Sequence, residues 1–311
     1  MRSLSRLACP RSFHRFASSL ISASLCLAVP CAQAQSMEAL ESFTQPKSKL
    51  LLTGGVTSID GLAGGGLTPW AVTGSYASEH ELGVTAAATR IVVKDYQMTS
   101  ESATISWMDR IEVALARQIF NASAAVPGAM LRQNIFSIKV RLAGDAVLES
   151  DSWMPQIAVG MEAKHVSPGN AVGGVLDAVK ARRDGTDFYV SATKLFLSSG
   201  ILVNATIRAT KANQNGLLGF GSSDSSKYHF EPEISVAYLL RRDLAIGAEY
   251  RAKPDNLKFA GAAFKEDDWK DIFLAWTPNK HISLTGAWVD LGNIVGKKKQ
   301  TGPYVSAQVA Y

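Results

Sequence analysis

The chain has 311 residues, 47% of them hydrophobic, 19% charged and 8% aromatic, with 25 Gly and 3 Cys. That apolar fraction excludes a disordered chain, and no run of about 18 or more apolar residues is present to form a membrane-spanning helix. The formal charge of +5 is concentrated at one end: residues 1–34 hold four arginines and no acid, while residues 35–311 carry 28 basic against 27 acidic residues. A nearly neutral body gives no electrostatic footing for a nucleic-acid partner. Cys9, Cys26 and Cys31 all fall in the same 34 residues, so the remainder has neither disulfide nor thiol chemistry.

Residues 1–16 are basic, Leu20 to Val29 form an apolar core, and Ala32-Gln33-Ala34 supplies a small-x-small cleavage site. This is the pattern of a secretory signal peptide, cut after Ala34. A lipoprotein reading would lipidate Cys31, but Pro30 stands where a small residue is needed. Residues 35–48 are expected to be a periplasmic segment, and residues 49–311 the folded domain. The glycines at 54, 55, 61, 64, 65 and 66 invite a phosphate-loop reading. No Gly-Lys-Ser/Thr comes after them and no helix opens there, so backbone bending into a loop or over a lumen explains them better.

From about residue 68 the dominant signal is alternation of apolar with small or polar residues. Ile234, Val236, Tyr238 and Leu240 alternate with Ser235, Ala237 and Leu239; Phe136, Ile138, Val140 and Leu142 alternate with Ser137, Lys139 and Arg141. Segments of this kind run about 9–12 residues, the span of a tilted strand across a bilayer. Tight turns near 78–81, 109–110, 198–200, 241–243 and 277–281 alternate with polar loops near 94–99, 122–133, 165–185, 212–228, 254–268 and 292–302. Short turns on one side and long loops on the other are the asymmetry of an outer-membrane β-barrel, with its apolar face toward lipid. The expected fold is therefore all-β, an antiparallel up-and-down transmembrane barrel. Trp70, Trp107, Trp153, Trp269, Trp276 and Trp288 all fall at predicted strand ends, as an interfacial aromatic girdle requires. Val305, Ala307, Val309 and the terminal Tyr311 share one face of the last strand, the form of signal that the barrel assembly machinery reads.

A crossing argument sets the strand number. If the turn at 78–81 is periplasmic, 68–77 is a strand, and Lys49 to Ser58 must cross the membrane before it, with Leu50, Leu52 and Val56 toward lipid. Twelve further strands lie near 82–93, 100–108, 111–121, 134–143, 155–166, 186–197, 201–211, 229–240, 244–253, 269–277, 282–291 and 303–311. The total is fourteen. Twelve is the alternative, if the N-terminal segment threads the lumen instead. Arg117 falls on lipid parity near the outer end, where a bulge or snorkelling could accommodate it.

Period two assigns a set of charges to the lumen: Glu112, Lys139, Arg141, Glu162, Lys164, Arg208, Glu231, Glu233, Glu249, Arg251 and Asp271. A tight hairpin at 241–243 sets Glu233 opposite Arg251 and Glu231 opposite Lys253. Such a mixed set either lines a water-filled pore or neutralises itself in a plugged one. His80, His165, His229 and His281 have no second ligand at metal spacing, so no metal or cofactor is expected. His165-Val166-Ser167 and His281-Ile282-Ser283 each place a His and a Ser on one strand face, the pairing that outer-membrane lipid hydrolases use as base and nucleophile. His165 and Ser167 would face outward at the external rim if the strand stays regular that far. Pro168 and Gly169 come next, where those enzymes usually carry Asn, and no enzymatic activity is expected.

Several long segments carry a resemblance. Leu52 to Val56 with Gly64 to Leu67, Gly185 to Tyr189, Asn213 to Gly221, Ala248 to Leu257, and Glu266 to Gly292 together resemble a family of proteobacterial outer-membrane proteins known as a domain of unknown function. The resemblance covers most of residues 49–311. It implies an exported barrel and no activity. The expected function is a porin-like or gated channel for small solutes or a hydrophobic compound. The alternatives are an interaction barrel with a plugged lumen, or a lipid-active hydrolase. The expected partners are outer-membrane lipid, lipopolysaccharide and the assembly machinery.

Overall fold

A computed structural model describes residues 49, 51–52, 54–78, 80–147 and 153–311. The leader, its cleavage site, the three cysteines, Leu50 and residues 35–48 lie outside the described residues. Twelve strands close into one antiparallel barrel: β3 (Leu82–Val92), β4 (Gln97–Trp107), β5 (Ile111–Asn121), β6 (Met130–Ala143), β7 (Gln156–Ser167), β8 (Asp184–Phe196), β9 (Ile201–Thr210), β10 (His229–Arg241), β11 (Leu244–Arg251), β12 (Trp269–Asn279), β13 (Ile282–Asp290) and β14 (Thr301–Ala310). Each strand pairs with its neighbour in the chain, and β14 returns to β3 with Val305 opposite Arg90 and Val309 opposite Ala86. Two short strands, β1 (Val56–Thr57) and β2 (Ala63–Gly64), pair with each other inside the barrel, and Gly64 also bridges Pro69.

The alternation explains the closure. On β10, Ile234, Val236, Tyr238 and Leu240 are exposed, while Glu233, Ser235 and Ala237 are buried. The same inversion runs round the barrel: large apolar side chains such as Ile105, Leu115, Val190, Ile207, Ile272 and Leu284 face out. Inside are Gln118, Gln133, Ser137, Asn204 and Thr206. A soluble barrel would do the opposite, so this is the distribution of a barrel whose outer face meets lipid.

Fourteen strands is corrected to twelve. The described residues of 49–58, and 68–77, do not join the wall. Leu52, Val56, Trp70 and Val72 are buried inside, packed against Leu195, Leu202, Phe273 and Ala275 of the wall. The premise that failed is the hairpin at 78–81: Glu81 N–H donates to Ser78 O at 3.2 Å, but this turn only feeds the chain into β3. The physical reason lies in the glycines. A Cβ on Gly65 would stand 2.0 Å from Glu249 Oε1, and one on Gly64 2.0 Å from Thr68 O. That backbone is pressed against the inner wall and a turn of itself, which only glycine permits. Residues 54–78 form a plug, the arrangement under which twelve strands were expected.

The ends differ as anticipated. At one end the chain turns tightly at 108–110, 197–200, 242–243 and 280–281, with one longer connection at 144–155; at the other lie the segments 122–129, 168–183, 211–228, 252–268 and 291–300. The loop expected at 94–99 is shorter, because β4 already starts at Gln97 and Val93 N–H closes on Tyr96 O at 2.9 Å. A helix α1 (Gly169–Ala178) lies in the cap, where Val172 and Leu176 pack with Leu131, Val166 and Leu217. The aromatic girdle is partly corrected. Trp107, Trp153, Trp276 and Trp288 are exposed, but Trp70 sits in the plug and Trp269 faces inward under the cap.

Candidate functional site: the plugged lumen and its cap

The plug enters at the short-turn end, where Lys49 Nζ lies 2.6 Å from Asp109 Oδ1. It rises through the β1–β2 hairpin to Ile59 and Asp60, then descends to Ser75. Its backbone is held by side chains from most of the wall. Ser100 Oγ and Gln118 Nε2 donate to Ile59 O, and Thr104 Oγ1 to Gly61 O. On the far side Gln156 Nε2 donates to Ala71 O, Thr206 Oγ1 to Pro69 O, and Trp70 Nε1 to Ser235 Oγ. The side chain of Thr57 donates to Gln308 of β14 at 2.7 Å. A plug with irregular backbone needs this many partners, since each buried unpaired amide costs about 1–3 kcal/mol.

The predicted lumen charges meet the plug in three groups. In the first, Glu112 accepts the N–H groups of Ala63 and Gly74 at 2.7 and 2.6 Å, while Lys139 donates to Ala63 O and Val72 O and lies 3.3 Å from Glu112. Both are fully buried. In the second, Glu249 accepts Leu67 N–H at 2.7 Å and the hydroxyls of Thr68 and Ser235 at 2.5 and 2.8 Å. Asp271 lies beside it in the β11–β12 register.

The third group is the centre. Arg208 Nε is 2.5 Å from Glu233 Oε1, and its Nη1 is 2.7 Å from Glu162. Lys164 Nζ stands 3.0 Å from both Glu162 and Asp187. Arg251 lies 3.3 Å from Glu233 and 2.8 Å from Asp60 on the plug. Asn215, from a turn of the cap, accepts from Arg251 and Lys164 through Oδ1 and donates to Asp60 through Nδ2. Four carboxylates and three cations thus knit plug, wall and cap together. Burial by itself would raise the Asp60 carboxyl. The nearby Lys164, Arg251 and Arg208 outweigh it and hold the group below the ordinary carboxylate range.

Two expected members fall elsewhere. Arg141 sits at the short-turn end, half-buried, paired with Asp109 and with Asp145 at 3.0 Å. Glu231 is half-buried at the rim and has no Lys253 partner, because the β10–β11 ladder ends at the pair Glu233–Arg251. Lys253 turns into the cap instead, 3.4 Å from Glu266, beneath the ring of Trp269. Burial pushes the Lys253 ammonium down and lifts the Glu266 carboxyl to about 7, against the pull of Lys253. Asp187 was legible, since it has the interior parity of Tyr189 and Ser191. Asp60 and Asn215 were not, because both sit in turns that carry no strand period.

Beneath the cap, between wall strands and cap segments, remains an apolar cavity of about 150 Å³, lined by Met98, Phe120, Leu131, Val172, Leu217 and Trp269 among others. Lower down, the gap beside Thr57, Thr85 and Gln308 is too small for a water molecule.

One family matches residues 53–308, a span that includes the wall strands, nearly all of the plug and the cap turn at Asn213–Gly221. The chain belongs to the DUF3034 family, described as a protein of unknown function. No protein of curated function matches the DUF3034 chain in sequence. Among solved structures it is similar to the KdgM porin, at 10% identity and a TM-score of 0.46, over 74% of this chain and 99% of that one. It is also similar to the outer membrane protein Omp33 of Acinetobacter baumannii, at 7% identity and a TM-score of 0.38, over 75% and 98%. Outer membrane phospholipase A from Escherichia coli is similar at 10% identity and a TM-score of 0.39, over 74% and 92%. These are likenesses between barrels with unrelated sequences.

Proposed function

We propose that the protein is an outer-membrane barrel kept closed by its own residues 54–78, displaying its folded cap outside and conducting no solute stream at rest. The short turns face the periplasm and the cap faces out, the usual disposition of such barrels. On this reading residues 1–34 direct export, and Val305, Ala307, Val309 and Tyr311 serve as the assembly signal. Outer-membrane lipid and lipopolysaccharide surround the wall. The observation that carries the reading is the Asp60 network, in which a plug carboxylate is buried between Lys164 and Arg251 of the wall. Opening a pore along the axis would strip those pairs, and each one broken in a dry interior costs about 3–5 kcal/mol. That geometry supports a closed lumen over a freely open porin.

Planar-bilayer recording of the refolded full chain tests this. The expected record is a flat baseline without long-lived unitary steps, and deletion of residues 54–75 introduces steps. Steady ohmic conductance from the full chain would refute the closed lumen.

A further inference from the structure

On the outward face of five neighbouring strands the ladders align one row of polar side chains. Glu101 on β4 lies opposite Arg117 on β5, Arg117 opposite Asn134 on β6, Asn134 opposite His165 on β7, and His165 opposite Asp184 on β8. Outward charges are disfavoured at the bilayer midplane and tolerated near its rim. The row climbs to that rim, since β8 begins at Asp184. His165 Nδ1 and Asp184 Oδ1 are 2.7 Å apart. β7 stays regular to its last residue, Ser167, which shares the exposed face with His165 and lies opposite Arg132.

A carboxylate on Nδ1 fixes that proton on the ring and leaves Nε2 as the base. Residues i and i+2 of a strand project side by side, so Ser167 stands next to that imidazole. Two concavities meet there. One is an open groove of about 700 Å³ down the outer wall, floored by Ala103, Leu115, Phe136 and Ala163. The other is a cleft of about 370 Å³ between the end of β7 and α1, lined by Ser167, Gly169, Asn170 and Arg183. α1 starts directly after Ser167, and Pro168 at its N-cap makes no side-chain cap bond, so first-turn N–H groups near Ser167 would serve as donors to an oxyanion. The groove, with its apolar floor and the polar row from Glu101 to Asp184 along it, takes an acyl chain; a polar cleft at the rim takes the ester and its head group.

We propose that Ser167 and His165, positioned by Asp184, hydrolyse a fatty-acyl ester of a membrane phospholipid. The site rests on the reading that the outer wall meets lipid. The Ser167 hydroxyl proton passes to His165 Nε2 as Oγ bonds to the ester carbonyl carbon. The carbon–oxygen bond to the glycerol then breaks, and the glycerol oxygen takes the proton from His165, leaving lysophospholipid and an acyl-Ser167. Water attacks that ester, giving its proton to His165 and then to Ser167 Oγ, and free fatty acid departs. Asp184 touches no reacting atom and is a positioning residue.

The test uses full-length protein whose folding is verified by heat-modifiable migration, in mixed micelles of phosphatidylethanolamine. Wild type releases fatty acid and takes a fluorophosphonate label that mass spectrometry maps to Ser167. Ser167→Ala and His165→Ala lose both, whereas Ser199→Ala, at the short-turn end, behaves as wild type. Asp184→Asn lowers kcat by roughly 10²-fold or more with KM little changed, since it upsets the imidazole tautomer and not substrate binding. Folded wild type that neither hydrolyses nor labels would overturn the proposal, as would activity or labelling that survives Ser167→Ala. An open pore in the bilayer assay would refute the closed lumen and leave this site standing, so the two failures are separable.

Discussion

Glu233→Ala distinguishes a dry lumen from a wet one. Glu233 has 0% of its surface exposed and sits between two guanidiniums, Arg208 at 2.5 Å and Arg251 at 3.3 Å. Removing it does not orphan them wholly, because Arg208 keeps Glu162 and Arg251 keeps Asp60. The loss therefore falls near the lower end of the range for a broken buried pair, about 3 kcal/mol. A control is built into the same hairpin: Arg241 and Asp243 pair at 3.2 Å, with Arg241 exposed and Asp243 only partly buried. Arg241→Ala should cost about 0–1 kcal/mol and should matter less still at high salt. Reversible denaturant unfolding in detergent, followed by tryptophan emission, reads both. In parallel, cysteines placed at 233 and 251 should resist charged thiol reagents until the barrel unfolds. A Glu233→Ala cost within about 1 kcal/mol of the Arg241→Ala cost would mean that water fills the lumen, and the closed-barrel reasoning would fall.

The cap should respond to pH through Glu266, which accepts the N–H of Gln214 at 2.9 and 3.0 Å. Its carboxyl is raised from 4.5 to about 7, so between those values the native cap holds a proton that the unfolded chain has released. Cap stability therefore falls as pH rises through that window, with protease nicking of 252–268 increasing toward neutral pH, and Glu266→Gln flattens the response. Equal nicking at pH 5 and 7.5 would count against it. Deleting Tyr311 removes the two backbone bonds that close β14 on Val84, at 2.7 and 2.8 Å, and its stacking on His281. The truncated protein should reach the membrane at clearly lower levels, whereas unchanged levels would argue against an assembly role.

The twelve wall strands were legible because lipid outside and polar contacts inside impose the same period on every one of them. What the period cannot say is which surface lies beyond the apolar face. Leu52 and Val56, or Trp70 and Val72, alternate as a lipid-facing strand would, yet they face wall residues from inside the barrel. The distinguishing signal was glycine density, since residues 54–66 would leave a lipid-facing strand with too little side chain to bury. Trp269 offers a second lesson. It shares parity with Asp271 and Phe273, so its inward orientation was readable from residues already assigned to the lumen. Position near a strand end outweighed parity, wrongly. The hairpin register at Glu233 and Arg251 was readable because the turn is tight and the strands regular. The partners those residues use most closely, Arg208 and Asp60, come from a second strand and from a turn, which no local pattern joins.

A lumen occupied by the chain's own backbone changes where function can reside. The plug satisfies the inner faces of the wall strands, so Gln118, Asn204, Thr206 and Ser235 are committed to holding it and are not free to select a passing solute. The network around Asp60 also couples the plug to the cap through Asn215, so neither can move without disturbing the other. Surfaces not spent on closure are the cap exterior and the outer wall. Most of that wall is aliphatic, as lipid contact demands, and needs no further explanation. The row from Glu101 to Asp184 departs from that rule on five successive strands in one register, and a departure so aligned is costly to keep on a lipid-facing wall unless the polar groups act together.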